Sequence, residues 1–309
     1  MSELIRMQAA ASVVTVWTSP ESPRRIDEPA LRNPADIKGW VDGLSIPDKL
    51  DLCDANRVQT QMLLGTEVIV MEESGDWVKI CIPDQFKQSS PLGYPGWVPK
   101  CQLAELPDRL AGLQWAEVTS FRAMLSLGAS ELELSYLTRL PLLEEKGEII
   151  RVETPLGEGL LNRNDVRIIS RSNDGTVRSP SSPSNMGNRI VEQAIRFIGL
   201  PYLWGGMSSF GFDCSGFAYQ LHQSQGIIIS RDVSDQVRHG IEIPRELLEP
   251  GDLLFFARDE GKGHIHHVGI YIGDNCMIHS PDSNGVVETV RLDEYKLAKE
   301  HFLSKRYWK

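Results

Sequence analysis

Tyr202-Leu-Trp-Gly-Gly-Met-Ser-Ser-Phe-Gly-Phe-Asp-Cys-Ser-Gly-Phe217 is a glycine-rich run that leads into a helix. A cysteine at a helix start feels the positive end of the helix dipole. The unpaired N–H groups there favour the thiolate, the reactive form of the side chain. Downstream, His267-Val-Gly-Ile-Tyr-Ile-Gly273 is strand-like and opens on a histidine, and Met277-Ile-His-Ser280 offers a second one. A cysteine, a histidine and a polar group that orients the histidine are the components of a thiol acyl-transfer site.

Most cysteines are small buried hydrophobes. Cys53, Cys81, Cys101 and Cys276 are expected to be of that kind; Cys81 lies in Val78-Lys-Ile-Cys-Ile82 and Cys276 in Asn275-Cys-Met-Ile278. Cys214 differs in its neighbours, because Asp213, Ser215 and Gly216 are polar or small and a core cysteine has no need of them. Alternate residues of a strand share a face, so His267, Gly269 and Tyr271 point one way and Val268, Ile270 and Ile272 the other. A hairpin turning at Gly273-Asp274-Asn275 brings His267 and His279 near each other. One can then act as base to the thiol while the other holds its ring.

The surroundings of this site have their own pattern. Ile190-Val-Glu-Gln-Ala-Ile-Arg-Phe-Ile198 has helical spacing and stops at Gly199. A helix follows Cys214, and strand-like runs cover Asp252–Phe256, His267–Ile272, Asn275–His279 and Val286–Val290. A nucleophile helix packed on a later antiparallel sheet is an α+β arrangement. Residues 171–186, rich in serine and proline, have linker composition. Before them, Val13–Trp17, two strands joined by Glu73-Ser-Gly-Asp76, and Tyr94-Pro-Gly-Trp-Val-Pro-Lys100 predict a small β domain over residues 1–105. Asn33-Pro34 reads as a helix cap and first turn inside a long loop of that domain. Residues 106–170 carry weaker strand signals, and Asn162-Arg-Asn-Asp-Val166 is similar to the closing turn of the first domain, which suggests a second copy.

Five ordered motifs carry a family resemblance. Tyr202-Leu-Trp-Gly-Gly206, Asp213-Cys-Ser-Gly-Phe217, Arg231-Asp-Val-Ser234, Pro250-Gly-Asp-Leu-Leu-Phe-Phe256 and His267-Val-Gly-Ile-Tyr-Ile-Gly273 together resemble the NlpC-type murein peptidases, which are papain-like cysteine peptidases. The resemblance covers residues 187–309. Gly75-Asp-Trp-Val78 followed by Gly96-Trp-Val-Pro99 resembles a bacterial SH3-like domain. The fold implied is α+β: two small SH3-like β-barrel domains before a papain-like catalytic domain. The resemblance makes Cys214 the nucleophile, His267 the base, His279 the orienting residue and Tyr202 a group beside the nucleophile that helps hold the oxyanion. SH3-like copies ahead of such a domain are similar to a narrower group, the γ-D-glutamyl-L-diamino acid endopeptidases. Those act on free murein peptides with an unblocked N-terminal L-alanine. Reading a free amine calls for acceptors, and Asp213, Ser215 and Asp232 are the candidates, with Ser234 in the same motif as Asp232. Tyr94 from the first domain and Trp204 as a cleft wall are further expected contacts, and the resemblance also implies an acidic residue of the first domain whose position stays open.

Bulk properties exclude other classes. The chain has 309 residues, enough for two or three domains, and a formal net charge of −10 with no lysine or arginine block. Nucleic acid is therefore not an expected partner. No run reaches the roughly 18 apolar residues of a membrane span. Five cysteines without framework spacing suit reduced thiols, and the first residues make a poor signal peptide, so the cytoplasm is the expected location. There the protein would meet imported wall fragments and not the intact wall. His264-Ile-His-His267, with His279 and Asp274, could invite a metal. A metalloenzyme would not need Asp-Cys-Ser-Gly, so no metal or other cofactor is expected. An acyltransferase or amidase on the same fold, and a non-catalytic module binding murein peptides, are the alternatives. The choice between L-lysine and diaminopimelate, and the oligomeric state, stay open.

Overall fold

Glycine at the tip of a tight hairpin sets the register of the first domain. Gly75 has φ +57° between the paired residues Ser74 and Trp77, a conformation that costs glycine little. The computed structural model describes residues 4–106, 114–170 and 185–308. The first domain holds β1 (Arg6–Ala9), β2 (Val13–Trp17), β3 (Val58–Leu63), β4 (Glu67–Ser74), β5 (Trp77–Ile82), β6 (Tyr94–Pro99) and β7 (Leu103–Glu105). Their order in the sheet is β3-β2-β6-β5-β4-β1-β7. Inward side chains such as Val14, Val16, Val68, Ile80 and Val98 form its core.

The second domain holds β8 (Gln114–Val118), β9 (Arg122–Leu127), β10 (Ser130–Ser135), β11 (Arg139–Lys146), β12 (Ile149–Thr154), β13 (Gly157–Asn162) and β14 (Val166–Ser170). Its order, β10-β9-β13-β12-β11-β8-β14, is that of the first domain strand for strand. Both domains also close on a short turn, Lys100–Gln102 and Arg163–Asp165. β9, β11 and β14 are absent from the sequence reading because exposed Met124 masks the alternation of β9, while β11, which carries Pro141, and β14 do not alternate in burial.

Two helices, α1 (Ile37–Gly43) and α2 (Ile46–Asp54), lie between β2 and β3. The helix expected to start at Asn33-Pro34 starts later. Asp36 is its cap, accepting from the Gly39 N–H at 2.8 Å, while the Asn33 amide donates instead to the Cys101 carbonyl at 2.9 Å. The insertion is anchored on buried Asp27, which takes hydrogen bonds from the Arg24 guanidinium and from the Trp40 indole N–H, each at 2.9 Å.

The remaining elements are α3 (Met186–Ile195), β15 (Met207–Ser208), β16 (Gly211–Phe212), α4 (Cys214–Gln223), α5 (Val233–Gln236), β17 (Ile241–Glu242), β18 (Leu253–Ala257), β19 (Ile265–Gly273), β20 (Cys276–His279), β21 (Glu288–Arg291) and β22 (His301–Arg306). Six of the strands form one antiparallel sheet, β17-β22-β18-β19-β20-β21. The chain divides into two compact units. One contains both β-domains with residues 208–210, and the other contains the α+β elements with residues 86–89. The expected linker falls at residues 171–184 outside the described residues. Of the four cysteines expected to be buried, only Cys81 is; Cys53 and Cys276 are half-buried and Cys101 is exposed. Cys101 follows β6 in a surface turn, and Cys276 opens β20 beside a tight turn, so neither reaches a core. Among the described residues no helix is long and apolar enough to cross a membrane.

One buried carboxylate organises the second domain. Glu117 on β8 is fully buried and stands directly opposite Arg139 on β11 and Arg167 on β14, both 2.6 Å away. Directly opposed side chains of antiparallel strands share a face, so one anion ties three strands. Removing one partner of a buried ion pair leaves uncompensated charge. Glu117→Ala should cost about 3–5 kcal/mol of stability, measured by chemical denaturation; a loss below about 1 kcal/mol would show that the anion does not organise these strands.

Candidate active site

The helix that Cys214 opens is held at its first turn. Asp213 is the cap of α4; its Oδ1 accepts the Gly216 N–H at 2.6 Å and its Oδ2 the Gly205 N–H at 3.0 Å. Arg231, only 1% exposed, donates to both carboxylate oxygens, at 3.1 and 2.7 Å, and to Ser215 Oγ at 2.9 Å. Gln236 of α5 donates to the Ser215 and Ser230 carbonyls at 3.0 and 2.9 Å. The glycine of Asp-Cys-Ser-Gly is required by close approach, since a Cβ on Gly216 would stand 2.2 Å from the Gly206 carbonyl oxygen. Behind the helix, Phe212 packs edge-on against Phe197 at 5.3 Å and beside Phe217 at 5.5 Å.

Asp213 and Ser215 face Arg231 and the backbone of the loop, where their polar atoms make hydrogen bonds within the protein. Asp213 is a buried counter-ion and helix cap because a buried guanidinium needs an anion beside it.

The histidines come from the sheet. The turn of the β19–β20 hairpin uses Gly273, Asp274 and Asn275, all with positive φ. His267 Nε2 and His279 Nδ1 lie 2.8 Å apart, with both rings buried. Tyr295 packs edge-on against His279 at 5.0 Å, and Phe256 lies 5.8 Å from His267. The Val268 N–H, next to His267, points at the Cys214 sulfur. Ser280, next to His279, donates to the Phe212 carbonyl at 2.7 Å, just ahead of the nucleophile. The two halves of the site are thus stitched on both sides of the histidine pair. With Nε2 engaged by His279, Nδ1 of His267 is the nitrogen left for the thiol.

Burial bears on the charge state. The Cys214 thiol is pushed up to about 12, first by burial and then by the Asp213 charge; the N–H groups of Val268 and Ser215 and the Arg231 charge oppose this without prevailing. The helix start and burial thus pull the thiol in opposite directions, with Cys214 itself half-buried. Burial also holds His267 well below the usual histidine range and lowers His279 to about 4, which favours the neutral form of both rings.

The other expected residues lie on several elements. Tyr202 is buried and bridges to Phe212, which places it beside the nucleophile segment; Trp204 is half-buried in the same loop. Asp232 is half-buried and forms an ion pair with Lys87, and Ser234 is exposed on α5. Tyr94 belongs to the other unit, where its ring is buried in the first domain's core. The histidine cluster splits by strand alternation, since His266 meets Glu300 at 2.5 Å while His267 meets His279. Sequence reasoning passed over Ser280, Gln236 and Tyr295, whose only signal is proximity in space.

Residues 199–309 match the NlpC/P60 family and residues 118–168 the YKFC SH3b2 domain. The chain is 42% identical over 305 residues to the gamma-D-glutamyl-L-lysine dipeptidyl-peptidase of Bacillus cereus, covering 96% of this chain and 89% of that one. Against the protein of the same name from Bacillus subtilis it is 39% identical over 292 residues, covering 94% and 95%. The crystal structure of an NlpC/P60 family protein from Bacillus cereus matches with a TM-score of 0.92 at 39% identity, covering 98% of this chain and 100% of that one. A cysteine at a capped helix start, a buried histidine pair on the adjoining sheet and these near-full-length likenesses agree: the chain belongs to the NlpC/P60 family of cysteine peptidases.

Proposed function

We propose that this protein hydrolyses the γ-D-glutamyl–L-diamino acid bond of free murein peptides whose N-terminal L-alanine is unblocked, and that it does so in the cytoplasm as a recycling enzyme. The observation that carries this is the extent of the likeness. It runs through both β-domains as well as the peptidase domain, and both near-full-length relatives are named for the γ-D-glutamyl-L-lysine bond. Five unpaired cysteines suit a reducing compartment.

The site supports an acyl-enzyme route. His267 Nδ1 takes the thiol proton as the Cys214 sulfur bonds to the γ-carbonyl carbon of D-glutamate. The oxyanion is met by N–H groups at the start of α4 and by Tyr202. His267 then gives its proton to the leaving α-amine of the diamino acid as the C–N bond breaks. Water, deprotonated by His267, hydrolyses the thioester and releases L-Ala-γ-D-Glu.

For the substrate's N-terminal ammonium we assign Asp232, with Ser234 beside it. Asp232 already holds one ammonium group, that of Lys87, in a half-buried setting. Trp204 is the apolar wall of the same reading. Incubation with L-Ala-γ-D-Glu-L-Lys and with its diaminopimelate analogue, followed by mass identification of products, tests the bond and the diamino acid together. Acetylating the N-terminal alanine should abolish turnover, and equal rates on blocked and free peptides would contradict the amine requirement. Cys214→Ala should remove hydrolysis altogether, a loss of at least about 10³-fold; substantial residual activity would displace Cys214 as nucleophile. Since protonation of His267 stops the reaction, activity is lost as pH falls through its lowered value. The acid limb of kcat/KM should therefore lie below the 6.5 of an ordinary histidine. A limb at or above 6.5 would contradict the buried neutral base.

A further inference from the structure

The histidine pair raises a proton-accounting question that the first three residues do not answer. His267 can take the thiol proton at Nδ1 only if its own ring proton sits on Nε2. That N–H then donates to His279 Nδ1, 2.8 Å away. His279 Nδ1 is therefore an acceptor, and the neutral ring must carry its proton on Nε2. His279 Nε2 is buried and has no hydrogen-bond partner among the described residues. A buried N–H without an acceptor is costly, so something must favour this tautomer over the opposite one.

We propose that Glu288 is that residue, a fourth, positioning member behind Cys214, His267 and His279. Glu288 lies directly opposite His279 in the β20–β21 pair, so the two side chains share a face. Its Oε1 stands 3.7 Å from His279 Nε2, about one small rotamer adjustment from a hydrogen bond. The geometry discriminates between tautomers. With the proton on Nε2, the carboxylate accepts it. With the proton on Nδ1, the Nε2 lone pair faces a carboxylate, and His267 is left with its own proton on Nδ1, turned to the thiol and useless as a base.

Other charges around His279 do not supply this function. Asp282 is taken by Lys296 Nζ at 2.7 Å and by the Asn284 N–H at 3.2 Å. Tyr295 meets His279 ring to ring at a steep angle, and its buried hydroxyl makes no hydrogen bond to the histidine. Glu288 is half-exposed, so water screens its charge, and its effect comes through accepting a hydrogen bond. A carbonyl oxygen at the same place should do nearly as well.

This inference rests on His267 being the base, and the experiment separates the two. Ring-nitrogen shifts of the ¹⁵N-histidine-labelled full-length protein at neutral pH report each tautomer. The wild type should show His267 and His279 both protonated on Nε2. In Glu288→Ala, His279 should become a tautomer mixture and kcat should fall about ten- to a hundredfold, the usual cost of losing a histidine's orienting partner, with KM unchanged. Glu288→Gln should restore the tautomer and bring kcat to within a few-fold of wild type. An unchanged His279 tautomer and unchanged kcat in Glu288→Ala overturn the role of Glu288 alone. A wild-type His267 protonated on Nδ1 overturns the base assignment and the Glu288 role with it.

Discussion

A buried guanidinium beside a buried carboxylate is the constraint on which the site depends. Arg231 and Asp213 are almost wholly removed from water, and neither could be so without the other. Their pairing aims Asp213 at the N–H groups of Gly205 and Gly216, and so fixes where α4 begins. That in turn fixes Cys214, the first residue of the helix. The motif Asp-Cys-Ser-Gly is thus largely a statement about helix geometry. Asp213 caps, Ser215 joins the arginine cluster, Gly216 admits the loop backbone, and Cys214 is what the arrangement presents.

The sheet supplies the other half on similar terms. A hairpin turned by three residues of positive φ brings two histidines within 2.8 Å, and aromatic rings leave them little room to rotate. Ser280 and Val268, each adjacent in sequence to one histidine, reach back to the nucleophile segment. Burial lowers both histidines and pushes the Cys214 thiol up. With two neutral rings in contact, the placement of each ring proton matters.

Much of this was legible in the chain. The Gly-Asp-Asn turn implied the hairpin, whereas alternation along His267–Ile272 did not separate His267 from core residues, since both faces are buried there and Phe256, opposite His267, belongs to a core cluster. Polar and small neighbours distinguished Cys214 from the other cysteines. The structural roles of those neighbours were not legible, because the pairing of Asp213 depends on the position of Arg231, eighteen residues on. The same limit hid Glu288 and Ser280, whose partners are set by strand register. In the β-domains, hairpins with glycine turns were clear, whereas half-exposed strands without alternation were not. The repeat emerges from sheet order, a property of pairing that no single strand encodes.

The central claim is that Asp213 and Arg231 act as one unit to seat the nucleophile's helix. A double-mutant cycle of Asp213→Ala and Arg231→Ala on the unfolding free energy of the substrate-free protein tests it most directly. Each single change should cost about 3–5 kcal/mol, and the double change should fall short of their sum by about 1–3 kcal/mol. Costs that simply add, or an Asp213→Ala variant as stable as the parent, would contradict this.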